Sequence, residues 1–231
     1  MKFTVKIALL CLAISLTGCS QRFTSYCGQR GDFDFQNGDL LFFDYDCGPM
    51  CDAIEEVTTG YDDVNLSHVG LIEVEGDTVY IIEAVSQGVV RRELGDISKR
   101  ASLDEKGRPK VMVGRLAEEY QPLIPDAIAE AKKLIGKKYD KMFLPMNDEY
   151  YCSELVYQAF KNAAGYEVFK LEPMTFKSPQ TGEFMDVWID HYEKLRLNIP
   201  EGIPGINPAG MTRNEKLIMI EPFGKCSRKS I

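Results

Sequence analysis

The chain of 231 residues carries 27 basic and 35 acidic side chains, which gives it a formal net charge of −8. This acidic balance, together with the absence of any basic run, argues against a nucleic-acid partner. The length and a hydrophobic content of 45% suit a single domain with a substantial core, and the sequence contains no internal repeat or low-complexity tract.

The N-terminus has the organisation of an export signal. Lys2 and Lys6 precede an apolar run, residues 7–16, that is too short to span a bilayer. The run ends in Leu16-Thr17-Gly18-Cys19, which resembles the lipobox of bacterial lipoproteins. A plain secretory signal that happens to contain a cysteine is the alternative interpretation.

The lipobox resemblance implies processing and an anchor. In lipoproteins the chain is cut before the cysteine, so residues 1–18 would be the signal peptide and residues 19–231 one domain. Cys19 would then carry a diacylglycerol and hold the protein on a membrane of the cell envelope. Ser20 follows, and the Asp that is associated with inner-membrane retention is absent, so we expect an outer-membrane location if the host has one.

The other cysteines bear on the redox state of an exported protein. Besides Cys19 and a cysteine at position 152, the chain beyond the signal contains Cys27, Cys47, Cys51 and Cys226. Four cysteines allow three pairings, which the sequence cannot separate. The spacing of Cys47 and Cys51 is short enough for a local bridge.

The predicted elements begin with strands and end with helices and loops. Apolar runs and period-two alternation predict strands at residues 40–43, 68–74, 78–85, 89–94, 110–116 and 217–220. Helical periodicity, with Pro near the start or Gly near the end, predicts helices from Gly48-Pro49 through Val57, at 125–134, from Cys152 to Gly165 and along 184–195. The chain beyond Gly165 is otherwise rich in Pro and predicts loops.

Gly76-Asp77 fits a two-residue hairpin turn between the second and third strands. That turn pairs Glu75 with Thr78 and Ile72 with Ile81, and continuing it pairs Gly70 with Glu83 and His68 with Val85. His68 and Glu83 then lie on one face as diagonal neighbours, within reach of long side chains. A slip of one residue would put them on opposite faces.

Two interpretations of Glu83 follow from this register. It is either a solvated strand residue or a carboxylate that orients the imidazole of His68. We favour the orienting role, because Val79 and Ile81 make its face of the strand partly apolar. An unpaired carboxylate on such a face would be costly.

The segment 150–160 places Cys152 at the start of an amphipathic helix. Its apolar stripe runs from Cys152 through Leu155, Val156, Ala159, Phe160 and Ala163. The unpaired N–H groups and the positive dipole of a first helical turn lower a thiol pKa from about 8.5 toward neutrality, and the thiolate is the nucleophile. The alternative is a buried structural cysteine.

Only two histidines can serve as the base of a Cys–His pair. His191 shares an apolar helical stripe with Val187 and Trp188, which favours a packed, hydrogen-bonded histidine. His68 lies on a strand beside the small residue Gly70, which leaves room for a substrate. A cysteine at a helix start, a histidine on a strand and a nearby carboxylate together favour His68.

The segments GDLLFF, SHVGLI, VYIIEAV and YYCSELVYQAF, in that order, resemble the YiiX/YaeF-like permuted papain-fold enzymes, relatives of NlpC-type cell-wall peptidases and of lecithin retinol acyltransferase. The later GINPAGMT segment resembles a family loop more weakly. The resemblance implies an α+β fold in which an antiparallel sheet packs on the cysteine helix. The histidine strand precedes the cysteine helix, the reverse of the ordinary papain order. DYDCGPMCDAI is a departure from the family pattern.

Carried over residue by residue, the resemblance makes Cys152 the nucleophile, His68 the base and Glu83 the residue that orients it. The backbone N–H of Cys152 would donate to the oxyanion. Tyr151 and Ser67 are candidates for further oxyanion or pocket residues, although Tyr151 could equally be a packed aromatic residue. No cofactor is implied, and the histidines and cysteines lack the spacing of metal ligands.

Three functions remain open from the sequence. A cysteine hydrolase that cleaves an amide in a cell-wall peptide or an N-acyl amino acid fits an envelope location. A lipid thioesterase or acyltransferase fits a membrane anchor. A catalytically silent ligand-binding module would keep the fold without a reactive thiolate. We expect the first.

Overall fold

The computed structural model describes residues 33–145 and 147–220. Within these residues the chain forms an α+β structure with eight strands and five α-helices. The strands are β1 (Leu40–Phe43), β2 (His68–Glu75), β3 (Thr78–Val85), β4 (Gly88–Glu93), β5 (Val111–Leu116), β6 (Glu172–Pro173), β7 (Pro204–Gly205) and β8 (Leu217–Ile220). The helices are α1 (Pro49–Val57), α2 (Ile124–Lys133), α3 (Cys152–Ala164), α4 (Asp186–Leu195) and α5 (Pro208–Met211).

The predicted elements are confirmed to within about two residues. The bounds of β1, β3 and β8 are those predicted, and β4 and α2 each begin one residue earlier. Helix α3 begins at Cys152, and Gly165 ends it in the left-handed conformation with φ of 75°.

The described strands form one antiparallel six-stranded sheet in the order β4-β3-β2-β1-β5-β8, and β6 pairs separately with β7. The β2–β3 ladder contains the predicted pairs Glu75–Thr78 and Ile72–Ile81 and ends at Leu71–Ile82. The two further pairs that the turn predicts, Gly70–Glu83 and His68–Val85, lie beyond the end of that ladder. There β3 continues against β4 instead, with Glu83 opposite Val90.

The sheet separates two hydrophobic clusters, because alternate side chains of each strand point to opposite faces. One face packs on α2 and α3 through Phe42, Leu71 and Ile82 from the sheet and Leu155 and Phe160 from α3. The other face buries residues 41, 43, 72, 79, 81, 111 and 113 against side chains at 35, 94 and 97. A third cluster joins α1 to α4.

The chain beyond α3 contains structure that the sequence did not predict. Asn207 caps the short helix α5 by accepting the N–H of Gly210, with Pro208 at the first helical position. The two-residue strands β6 and β7 pair nearby. Such short elements carry no hydrophobic period, so only the tertiary structure reveals them.

A disulfide joins Cys47 to Cys51 at the start of α1, with the two Cα atoms 5.4 Å apart, a pairing that their spacing allowed but that the sequence left open. The predicted signal peptide and the residues Cys19, Cys27 and Cys226 fall outside the described residues. No helix within residues 33–145 and 147–220 has the length and apolar character needed to cross a membrane.

Candidate active site

Cys152 is the first residue of α3 and is a free, buried thiol, 6% exposed. Tyr151 before it is extended, with φ of −91° and ψ of 172°, so the helix begins abruptly at the cysteine. The backbone N–H groups of Ser153 and of Val69 on β2 both act to lower the pKa of the thiol. The position of the sulfur at a helix N-terminus favours the thiolate as well.

His68, at the first position of β2, hydrogen-bonds Cys152. Burial alone would raise the pKa of the Cys152 thiol, but the hydrogen bond and the charge of His68 lower it, as do the two N–H groups. Burial alone would lower the pKa of His68, but hydrogen bonds to Cys152 and Glu83 raise it to about 9. A lowered thiol pKa beside a raised imidazole pKa favours a thiolate–imidazolium pair.

Glu83 is fully buried and accepts a hydrogen bond from His68 Nε2 at 2.7 Å. The structure therefore brings His68 and Glu83 together on the face that the hairpin register predicts. This bond occupies Nε2 and leaves Nδ1 of the ring for the sulfur of Cys152. The base, the carboxylate and the thiol thus form one hydrogen-bonded row.

Two arginines that the sequence analysis missed complete the row. Arg92 Nε donates to Glu83 Oε1 at 2.9 Å, and Arg100 donates to the same oxygen. Burial alone would raise the pKa of Glu83, but the hydrogen bond and charge of His68 and the charges of both arginines lower it to about 2. Glu83 is therefore ionised across the physiological range. Arg92 could have been found from the sequence by its place on β4, two residues from the residue that pairs with Glu83.

Ser67 lines the cleft beside His68, but its hydroxyl is engaged elsewhere. Its Oγ accepts the N–H of Tyr45 at 3.1 Å and also hydrogen-bonds Glu55 of α1. Burial raises the pKa of Glu55 to about 7 in spite of that bond. The ring of Tyr45 lies 5.5 Å from the ring of His68. Ser67 thus lies in the cleft lining and links Tyr45 to α1.

Tyr151 also lines the cleft, and its ring packs in the core at 5% exposure. Its hydroxyl accepts the N–H of Ile206 at 3.2 Å. Burial raises the pKa of Tyr151, so the phenol keeps a proton. The structure therefore combines the two roles that the sequence left open, a packed aromatic residue and a wall of the cleft.

Glu154, in the first turn of α3, is a second buried carboxyl close to Cys152. It reaches back to the N–H of Tyr151, as a residue at this position of a capping box does. Its Oε2 is buried and has no hydrogen-bond partner within residues 33–145 and 147–220. Burial and the nearby carboxylate of Asp140 raise the pKa of Glu154 to about 8.

The second histidine lies away from the row. His191 Nε2 hydrogen-bonds the carbonyl oxygen of Lys141 at 2.7 Å, and its ring packs against Trp188 and Tyr192 of α4. This environment fits the packed, hydrogen-bonded histidine that the sequence favoured.

A cleft of about 690 Å³ opens above Cys152 and His68. Its walls come from α1, α4, α5 and the segments around them, including Ile54, Phe143, Phe176, Trp188 and Met211. Two segments that the sequence singled out, the departure DYDCGPMCDAI and the family-like loop GINPAGMT, both lie at this cleft. The disulfide lies at the start of α1, whose far end lines the cleft, and the GINPAGMT segment supplies another wall.

The row is poorly suited to hold a metal ion. His68 Nε2 and the Glu83 carboxylate are bonded to each other and to two guanidinium groups, which excludes a cation from those atoms. In the part of the chain that the structure describes, no three His, Cys, Asp or Glu side chains form a group that could bind a metal.

The chain is similar to known proteins in sequence and in fold. Residues 34–221 match the model of a family described as permuted papain-like amidase enzymes, YaeF/YiiX, C92 family. The chain is 32% identical over 151 residues to the uncharacterised protein YiiX of Escherichia coli K12, covering 63% of this chain and 68% of that protein. It is also similar to the crystal structure of yiiX from Escherichia coli O157:H7, described as a metalloprotein, with a TM-score of 0.65 and 25% identity over 84% of this chain and all of the other.

Proposed function

Because the chain belongs to the family of permuted papain-like amidases, we propose that it hydrolyses an amide bond through a thiolate of Cys152. The observation that carries this proposal is the hydrogen-bonded row Cys152–His68–Glu83 at the floor of the cleft. The shifts in pKa favour the charge that the chemistry requires in each group of the row. The pKa of the Cys152 thiol is lowered, that of the His68 imidazole is raised to about 9, and that of the Glu83 carboxyl is lowered to about 2.

The reaction runs in two halves. The Cys152 sulfur attacks the amide carbonyl, and the developing oxyanion lies near the N–H of Cys152, which has no partner within α3 because it opens the helix. His68 gives its Nδ1 proton to the nitrogen of the departing amine, and the C–N bond breaks to leave a thioester on Cys152. His68 then takes a proton from water, the hydroxide attacks the thioester, and the acid leaves as the thiolate re-forms with the imidazolium.

Glu83 orients His68 during both halves of the reaction. It accepts a hydrogen bond from the Nε2–H group of His68 throughout, which holds Nδ1 toward the sulfur and stabilises the imidazolium. Arg92 and Arg100 keep Glu83 itself from taking that proton, because two cations beside a buried carboxylate favour its ionised form. The arginines are thus positioning residues that act through Glu83.

The proposal is tested by trapping the acyl-enzyme. The wild-type protein and the Cys152→Ala variant are incubated with panels of peptide amides, N-acyl amino acids and acyl thioesters, quenched in acid, and weighed by intact-protein mass spectrometry. We expect amide turnover and an acyl adduct on Cys152 in the wild type, and neither in Cys152→Ala. Turnover restricted to thioesters would support the lipid thioesterase alternative. Amide turnover that survives in Cys152→Ala would refute the nucleophile.

We propose further that Cys19 carries a lipid and holds the protein on the cell envelope. The run Leu16-Thr17-Gly18-Cys19 after a short apolar segment supports this. Cys19→Ser should release the protein from membranes or leave it at its unprocessed mass, whereas Cys27→Ser should change neither. Unchanged membrane partition and unchanged mature mass in Cys19→Ser would contradict the anchor.

A further inference from the structure

The disulfide between Cys47 and Cys51 links the segment after β1 to helix α1. The segment before the disulfide is fixed by two hydrogen bonds. The carboxylate of Asp46 accepts a hydrogen bond from Lys110 Nζ at 2.6 Å, and the N–H of Asp46 donates to Ser102 Oγ at 2.8 Å. Cys51, on the other side, lies in the first turn of α1. The disulfide therefore ties the start of the helix to a segment that Lys110 and Ser102 hold in place.

Helix α1 packs mainly against α4 and not against the sheet. Within residues 33–145 and 147–220, no residue of α1 belongs to either of the two hydrophobic clusters of the sheet. Its side chains Ala53 and Ile54 pack instead in the cluster that contains Trp188 of α4. A hydrogen bond between Glu55 and Ser67 links the helix to the start of β2. The disulfide is thus a covalent addition to a helix with few contacts to the sheet.

The start of α1 also lacks a capping side chain. Gly48 occupies the N-cap position with φ of 85° and ψ of −160°, and in the described part of the chain no side chain accepts a hydrogen bond there as a cap. Glycine accepts this conformation because it has no Cβ atom. A covalent bond to Cys47, in place of a capping side chain, therefore fixes where the helix begins.

The position of α1 affects the cleft more than it affects the catalytic row. Ile54 and Val57 of α1 line the cleft. The row of Cys152, His68 and Glu83 contains no residue of α1 and is held together by its own hydrogen bonds. A displacement of α1 would therefore change the surface that contacts the substrate and leave the thiol and its base in place.

The two sulfur atoms are arranged for attack by a thiol. Cys47 is exposed, whereas Cys51 is only 5% exposed, so an incoming thiolate reaches the sulfur of Cys47 first. Cys51 is then the leaving group, and it lies in a first helical turn, where uncapped N–H groups favour a thiolate. Exchange is faster when the attacked sulfur is accessible and the leaving thiol has a low pKa.

The short loop that the disulfide closes makes its effect on the structure local. The sequence separation of Cys47 and Cys51 is 4. A disulfide that closes so short a loop removes little conformational entropy from the unfolded chain. We therefore expect that loss of the bond loosens α1 while the six-stranded sheet stays folded.

We propose that the Cys47–Cys51 disulfide is a redox switch of substrate binding, in which the oxidised form holds α1 at the cleft and reduction by a dithiol releases it. A thiolate of the dithiol attacks the Cys47 sulfur, the S–S bond breaks, and Cys51 leaves as a thiolate that takes up a proton. The second thiol of the dithiol then displaces Cys47 as a thiol, and the dithiol becomes a disulfide. Two electrons thus pass from the dithiol to the protein. The switch rests on the proposed function, because the substrate is the amide that Cys152 cleaves.

Amide turnover tests the switch in the wild type and in the Cys47→Ser/Cys51→Ser variant, each with and without dithiothreitol. Reactive Cys152 is counted by alkylation, so that every rate refers to active protein. We expect reduction to raise the KM of the wild type about tenfold and to change kcat far less, because binding is lost and the chemistry is not. Reoxidation should restore the low KM. The variant should have the raised KM in both conditions.

The matched control is Cys27→Ser/Cys226→Ser, which removes two other cysteines and keeps the disulfide. It should respond to dithiothreitol as the wild type does. A wild-type KM that reduction leaves unchanged, or a response that the control lacks, would overturn the switch and leave the proposed function standing. Absence of any turnover that depends on Cys152 would overturn the proposed function, and the release of α1 would then be decided by hydrogen exchange.

Hydrogen exchange tests the release of α1 without turnover. Peptides that cover residues 49–57 should exchange faster after reduction, whereas peptides that cover residues 68–85 should not. The emission of Trp188, the only tryptophan of the chain, should shift to the red, because its ring packs in one cluster with Ala53 of α1. The Cys47→Ser/Cys51→Ser variant should show both changes without a reductant. Unchanged exchange over residues 49–57, or exchange that rises equally across the sheet, would overturn the switch.

Discussion

Two buried glutamates, Glu83 on β3 and Glu154 on α3, have environments that shift their pKa values in opposite directions. Glu83, on the β3 side, contacts His68 and two arginines, which lower its pKa to about 2. Glu154, on the α3 side, lies near Asp140 and pairs with no cation within the described ranges, and burial raises its pKa to about 8. Both are almost fully buried, so burial alone does not decide the charge of a carboxyl group. Its neighbours do.

The two carboxyl groups therefore have different roles. A charged Glu83 can hold an imidazolium, and that imidazolium can hold a thiolate. A largely neutral Glu154 adds little negative charge to the first turn of α3, yet it still accepts the N–H of Tyr151 and so stabilises the start of the helix.

The largest expected effect on turnover comes from removing the imidazole of His68, which Glu83 orients. His68→Ala should lower kcat/KM about 10²–10⁴-fold, because the general base and acid are lost together. His191→Ala is the matched control, since that ring bonds only a backbone carbonyl oxygen and lies outside the row. It should lower kcat/KM far less. Exchange of these two outcomes in steady-state assays would show that the base has been assigned to the wrong histidine.

Glu83→Gln keeps the shape of the side chain and removes its charge. We expect kcat/KM to fall on the order of tenfold or more, because the amide holds the imidazolium less well. The pKa for alkylation of Cys152 should rise at the same time, which a merely structural residue would not cause. Wild-type turnover with an unchanged alkylation pKa would remove Glu83 from the mechanism.

Site residues whose contacts are local in the sequence could be predicted, whereas those that reach the site from distant segments could not. The His68–Glu83 pair was predictable because a two-residue turn at Gly76-Asp77 sets the hairpin register locally. The place of Cys152 was predictable because the hydrophobic period of its helix and the residue that ends that helix both lie in the local sequence. Arg100 and Phe143 were not, since each reaches the site from a separate loop and no spacing in the sequence encodes that approach.

The fold shows the same division. The strands and helices with a clear hydrophobic period were predicted nearly to the residue, and the family resemblance supplied their arrangement. The cleft walls beyond α3 rest on α5, on the short pair β6–β7 and on side-chain bonds such as that from Asn207 to Gly210. Those elements are stabilised by tertiary contacts and not by local propensity.

The pH dependence of stability gives the two glutamates opposite signs. The pKa of Glu83 is depressed from 4.5 to about 2 in the folded protein, so its stabilising contribution is present above pH 4.5 and is lost as the pH falls toward 2. The pKa of Glu154 is raised from 4.5 to about 8, so its contribution is present below pH 4.5 and is lost as the pH rises toward 8.

The smallest expected effect is that of Glu154→Gln. It should leave kcat/KM near neutral pH almost unchanged, because glutamine resembles the protonated carboxyl in shape and charge. It should also lessen the loss of thermal stability that we expect of the wild type between pH 5 and 8, as followed by melting temperature. Part of that loss should remain, because the pKa of Glu55 is raised to about 7. A variant whose melting temperature falls with pH as the wild type does would contradict the neutral state of Glu154.

The most direct test of the central claim is the rate at which Cys152 reacts with iodoacetamide as a function of pH, followed on the peptide that contains it by mass spectrometry. The account predicts a rate that is half-maximal well below the pKa of about 8.5 of an ordinary thiol. It also predicts that the midpoint moves up in Glu83→Gln and further in His68→Ala. A wild-type midpoint equal to that of an ordinary thiol, unmoved by either substitution, would contradict the thiolate–imidazolium pair and the proposed function with it.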